Sequence, residues 1–253
     1  MKLGFGNRFT RLMPPLITRW VLAIIGAILG MTLFAEPVLA ANCSVATSQG
    51  STGPASWQTY CWIDFSGYND TTARSAGGQA FSLTLQDGTV VTFTMNVSTN
   101  AALTAINAPS WGGAAVGNTA FLGIAGRPVL YQSAAGTSTV TFSNIKLTPP
   151  SGAATTAYMF VAADGESSNE GESLSFNTNG GGWTLLDQAG PISGSTYPTT
   201  TGLGTSTYSI TGVPGTVGAF IVGSSTPTTL TTTIVGGGLQ GAMFAVRFAT
   251  IRL

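Results

Sequence analysis

The sequence predicts an all-β fold, an antiparallel β-sandwich of a dozen or so short strands, entered after a cleaved signal peptide. Three observations lead there. Beyond residue 40, apolar and polar residues alternate with period two in one run after another, which is the pattern of half-buried strands. Thr, Gly, Ser, Val and Phe dominate those runs, whereas the helix formers Lys, Glu and Leu are sparse. Only 7% of the 253 residues are charged, against roughly a quarter in an ordinary soluble protein. A Thr- and Ser-coated sheet surface is consistent with all three, because β-branched Thr suits a pleated face without adding charge.

The chain opens on a basic stretch with Lys2, Arg8, Arg11 and Arg19, followed by an apolar run over residues 21–35 and then Glu36-Pro37-Val38-Leu39-Ala40. Charged start, apolar middle and small residues Val38 and Ala40 at the −3 and −1 places are the parts of a secretory signal. Cleavage after Ala40 is expected, so residues 1–40 are read as the leader. The apolar run is shorter than the ~20 residues needed to cross a bilayer, and no membrane insertion is expected after cleavage. Residues 41–253 then keep five basic side chains (Arg74, Arg127, Lys146, Arg247 and Arg252), eight acidic ones and a net charge of −3.

Cys43 and Cys61 follow in an exported, oxidising context, where a disulfide is the natural pairing and two reduced buried thiols the alternative. Closing a loop of about 19 residues restricts the unfolded chain by ~3 kcal/mol in the entropic account. Residues 41–60 are thereby expected to be a tethered N-terminal segment, and residues 61–253 the sandwich.

Strands are predicted over residues 60–65, 81–85, 91–97, 129–132, 140–147, 158–163, 174–178, 207–210, 219–222, 229–235 and 243–253. Asp87-Gly88 between two alternating runs marks a hairpin. The apolar phase slips by one residue at Ser143-Asn144, which predicts a bulge. Residues 199–204 and 224–233 read as loops or edge strands. No 20–50 residue repeat is present, which argues against a solenoid or propeller.

The chain contains no His. That removes the commonest general base and metal ligand, and with it His-dependent triads and zinc protease sites. The few cations leave no basic patch for nucleic acid. What remains is binding or carboxylate chemistry. Four of the eight acids beyond the leader fall within residues 164–172, giving Asp164, Glu166, Asn169 and Glu170 as first-choice ligand-binding residues. The same acids Asp164, Glu166 and Glu170 form a weak calcium candidate, since Ca²⁺ takes six to eight oxygens; the plain alternative is a solvated acidic turn whose side chains bond the local backbone. A second group, Asp64, Tyr68, Asn69 and Asp70, follows Trp62 and Phe65, whose rings could either stack on a sugar or fill the core. Trp111 on the Gly-rich loop after Pro109-Ser110 offers the same choice. Lys146 could cross-link to an Asn, but it alternates out of phase with Ile145 and Leu147 and is expected to face water.

The segments at residues 61–70, 72–79, 108–113, 161–169, 171–174 and 241–248 together resemble the second non-repetitive domain of CshA-type fibrillar surface adhesins of bacteria. This resemblance implies a lectin-like, jelly-roll-like sandwich without enzyme activity. It implies a glycan or a glycoprotein such as a fibronectin-like matrix protein as partner, and cell adhesion as the role. Adhesins of this kind carry tandem repeats and a wall-sorting signal, whereas this sequence stops at Leu253 just past its last predicted strand. A secreted or cell-surface, envelope-associated location is therefore expected. Two competing classes are a polysaccharide-active enzyme with paired carboxylates, and a structural envelope protein that self-assembles through edge strands in the Thr/Gly-rich residues 195–235.

Overall fold

The structure is a computed structural model and describes residues 39–40, 43–48, 50, 59–108, 120, 122–152, 155, 157–191 and 194–248. The expected leader lies outside the described residues, apart from its last two.

Two antiparallel sheets form a sandwich. Among the described residues, the first sheet has the order β1 (Leu39–Ala40), β4 (Gln79–Thr84), β5 (Val90–Thr99), β8 (Gly136–Thr148), β15 (Leu230–Gly236), β10 (Ser173–Thr178), β13 (Thr207–Thr211) and β12 (Thr199–Thr201). The second runs β11 (Thr184–Ala189), β14 (Ala219–Ser225), β9 (Tyr158–Asp164), β16 (Gln240–Phe248), β3 (Cys61–Ile63) and β2 (Cys43–Ser44). Two more strands, β6 (Leu103–Ile106) and β7 (Val129–Gln132), attach to it through β16. The short helix α1 (Asp70–Ala73) follows β3. β1 pairs with β4 in parallel; cleavage after Ala40 would leave β4 as that edge.

The alternation expected from the sequence is realised in the first sheet. Along β5 every second side chain is buried from Val91 to Val97, and the polar partners between them face outward. On that outer face Thr141 and Thr231 hydroxyls lie 3.2 Å apart, Ser175 and Ser209 hydroxyls 3.2 Å apart, and Asn177 Nδ2 donates to Thr207 Oγ1 at 2.8 Å. Such cross-strand polar pairs stabilise a sheet without charge. Lys146 is exposed on β8, as its phase predicts. The slip at Ser143-Asn144 is a bulge: Thr92 faces Lys146 while Thr94 faces Ser143, and Asn144 takes a φ of 55°.

The central strands of the second sheet read differently. β9 and β14 are buried along nearly their whole length, because both faces are covered. Small residues such as Ala162, Ala163, Gly223 and Ala245 fit between two layers there. One face meets the first sheet across a core rich in Phe. Phe142 is its hub, with ring centroids 4.7 Å from Phe244, 5.3 Å from Phe93 and 5.5 Å from Phe160. The opposite face carries a second apolar cluster that includes Tyr60, Trp62, Val129, Ile221 and Met243, covered by Ala46, Ala108 and Ile124. The Cys43–Cys61 disulfide, with Cα atoms 5.2 Å apart, joins β2 to β3 and packs against the Phe-rich core.

Candidate functional site

β16 lends one edge to two strands in succession. Its Ala245 and Val246 pair with β3, whereas Gln240 to Met243 pair with β7. The chain leaving β3 must therefore turn away where β7 begins. Phe65 drops into the core between the rings of Phe81, Phe142 and Phe244, and Tyr68 N–H closes the turn on Phe65 C=O at 2.8 Å.

Asp64 fixes the meeting of these segments. Its Oδ1 accepts from Ser66 N at 2.8 Å, Ser66 Oγ at 2.5 Å and Arg127 N at 2.8 Å, while Phe65 N donates to Arg127 O at 3.1 Å. Gly126 has φ of 80°, and a Cβ there would stand 2.2 Å from the Asp64 carboxyl carbon, so both conformation and space require glycine. Arg127 is thus held by its backbone on both sides, with its side chain exposed.

Helix α1 forms the other wall. Asn69 Oδ1 caps it by accepting from Thr72 N at 3.0 Å. Buried Gln79 accepts from Asn69 N at 2.8 Å and donates to Gly67 O at 2.7 Å, which ties the loop to β4. Tyr68 OH donates to Asp70 Oδ1 at 2.6 Å, and Arg74 Nε donates to Asp70 Oδ2 at 2.7 Å. Burial, reinforced by the bond to Asp70, pushes the Tyr68 phenol well above its usual value, so it stays protonated and neutral. Arg74 reaches on to Thr99 O at 3.1 Å and Ala101 O at 3.2 Å, stapling the helix to the end of β5.

Between these walls lies a cleft of ≈ 200 Å³ lined by Ser66, Tyr68, Asp70, Leu103, Thr104, Ala105 and Arg127. Asp64, Tyr68, Asn69 and Asp70 are thereby brought into one neighbourhood, with different tasks. Tyr68 and Asp70 line the cleft; the carboxylate of Asp64 and the amide of Asn69 hold its frame. Trp62 and Phe65 have no exposed surface and belong to the core rather than to a sugar-stacking platform. Ser66, Leu103, Thr104, Ala105 and Arg127 were missed as site residues. Arg127 carried a signal, being one of few cations and flanked by Gly126 and Pro128; β6 carried none.

The acidic loop after β9 is not a solvated turn. Asp164 is fully buried and Glu166 is 2% exposed, whereas Asn169 and Glu170 face solvent. Asp164 accepts from Glu166 N at 3.0 Å and Ser168 Oγ at 2.8 Å; Gln240 Nε2 donates to that hydroxyl at 3.2 Å. Glu172 Oε2 accepts from Asn169 N at 2.9 Å. Burial, the largest influence, pushes the Asp164 carboxyl up to about 7, with hydrogen bonds from Glu166 and Ser168 opposing and the Glu172 charge adding to it. Of the four first-choice residues, only Asn169 and Glu170 are placed to meet a ligand from solvent. Among the described residues no group of three or more His, Cys, Asp or Glu is arranged to hold a metal ion, and no helix is long and apolar enough to cross a membrane. Trp111 lies outside the described residues.

A family model described as the surface adhesin CshA non-repetitive domain 2 matches residues 58–247. No curated protein and no solved structure matches the chain. The matched stretch runs from just before β3 almost to the end of β16 and so includes both sheets apart from β1 and β2, and the whole cleft. The chain belongs to the CshA non-repetitive domain 2 family of surface adhesins.

Proposed function

We propose that this chain is the ligand-binding module of an exported bacterial surface protein, with a lectin-like role: it recognises a glycan, or a host or matrix glycoprotein of the fibronectin type, at the cleft between α1, β6 and the turn before β7. The observation that carries this reading is the cleft itself. Its polar groups are held in place before any ligand arrives, by the three bonds to Asp64 and the chain Tyr68–Asp70–Arg74. A site whose groups are fixed in advance loses less entropy on binding. Mixed apolar and hydrogen-bonding walls are the usual lining of a small-ligand site.

The polysaccharide-enzyme reading has less to rest on, because the densest carboxylates, Asp164, Glu166 and Glu172, are buried. No metal is needed for the proposed recognition. A panel of glycans and matrix glycoproteins, fibronectin included, tests it with the exported chain and its Thr104→Trp variant, which places a large ring at an exposed position of the cleft wall. Binding to at least one member is expected, weakened about tenfold or more by Thr104→Trp, with Tyr68→Phe as a second, milder probe of the same wall. Binding that is indifferent to both variants would place recognition elsewhere.

A further inference from the structure

The cleft sorts its hydrogen-bonding groups unevenly. The Tyr68 hydroxyl spends its proton on Asp70, and the Ser66 hydroxyl spends its own on Asp64. Both therefore offer lone pairs rather than protons. Asp70 has one oxygen engaged by Tyr68 and the other by Arg74, and its charge is offset by that Arg. Thr104 Oγ1 donates to Tyr131 O at 3.5 Å, which leaves Arg127 as the remaining side-chain donor of the lining. Among the described residues its guanidinium makes no ion pair: Arg74 alone is salt-bridged, Arg247 lies 5.7 Å over the Tyr60 ring, and Lys146 stands on the other sheet. Asp64 accepts from the Arg127 backbone N–H, and its carboxylate is turned to backbone N–H groups and to Ser66 rather than to a cation.

Such a lining fits a ligand with one acceptor-only anionic group and several hydroxyl donors on the same small ring. On the reading that this cleft is the binding site, we propose that its ligand is a carboxylate-bearing sugar residue, the carboxylate meeting Arg127 and the ring hydroxyls donating to Tyr68, Ser66 and Asp70. An Arg–carboxylate contact can be bidentate and is about twice as strong as a neutral hydrogen bond. A neutral sugar leaves the guanidinium without its best partner, and an acidic peptide lacks the hydroxyls that the acceptor wall calls for. The cleft's ≈ 200 Å³ suits a single ring rather than a folded surface.

The test is titration calorimetry of the exported chain with sialyllactose and with a hyaluronan tetrasaccharide, each beside its carboxyl-reduced form, and with an Asp/Glu-rich peptide. At least one acidic sugar is expected to bind about tenfold or more tighter than its reduced form, the usual worth of a charged hydrogen bond. Arg127→Gln should bring the two forms level, and Arg127→Lys should keep part of the preference. Equal binding of acidic and reduced sugars, blocked by Thr104→Trp, would overturn the carboxylate assignment and leave the cleft standing. Tighter binding of the peptide than of any sugar would overturn it as well. Sugar binding that ignores Thr104→Trp would overturn both readings together, whereas no sugar binding at all would overturn the acidic-sugar assignment alone.

Discussion

Asp164 ends β9 with no exposed surface, and its buried carboxyl favours the protonated form in the folded chain. A folded value of about 7 against 3.8 in the open chain means that folding takes up a proton between those limits. Its contribution to stability is therefore complete below about pH 4 and is lost as the pH rises towards 7; Glu172, pushed up by burial too, acts with the same sign. Thermal unfolding across pH 4–7 should show Tm falling, with a shallower slope in Asp164→Asn; an unchanged slope would assign the effect elsewhere. Phe142 touches four other Phe rings, and Phe142→Ala should cost ~3–5 kcal/mol in urea unfolding. At this scale the sequence announced which residues were chemically unusual but not where they went. The clustering of acids after β9 was plain, whereas their burial depends on Gln240 and Thr216, 72 and 48 residues away from Ser168.

Elements were legible where the signal was local. The β4–β5 hairpin follows from alternation on both sides of Asp87-Gly88, and Gly88 takes the positive φ of 82° that such a turn uses. The bulge in β8 was visible for the same reason, since a one-residue slip flips the buried face. β6, β11 and β12 escaped, β12 surfacing only among the edge-strand readings. They are short or lie at an edge, where one-sided burial gives weak alternation, and β11 is further broken by a register shift between Leu185 and Asp187. The same distinction governs β2, a two-residue strand held by β3 and the Cys43–Cys61 bond. With its ends 18 positions apart in sequence, the bond should contribute ~3 kcal/mol in the loop-closure account. Urea unfolding with and without a reductant measures it, and a difference near zero would mean that β2 is held on β3 by packing and pairing alone.

At the scale of the whole molecule, the cleft is a product of strand order. It exists because β16 hands its edge from β3 to β7, because β6 extends β7, and because Asp64 binds across to Arg127 over 63 positions of sequence. No periodicity of a single segment encodes that, which is why Tyr68 and Asp70 could be singled out in sequence while Thr104, Ala105 and Arg127 could not be joined to them. Family membership sets the context of a surface adhesin domain; the cleft is the place proposed for it to act. The most direct test is a nuclear magnetic resonance titration of the isotope-labelled chain, residues 41–253, with the tightest member of the binding panel. Shifts should concentrate at residues 64–74, 103–105 and 126–128. Shifts gathered instead at Asn169 and Glu170, or spread over the hydroxyl face of the first sheet, would contradict the assignment of the cleft as the binding site.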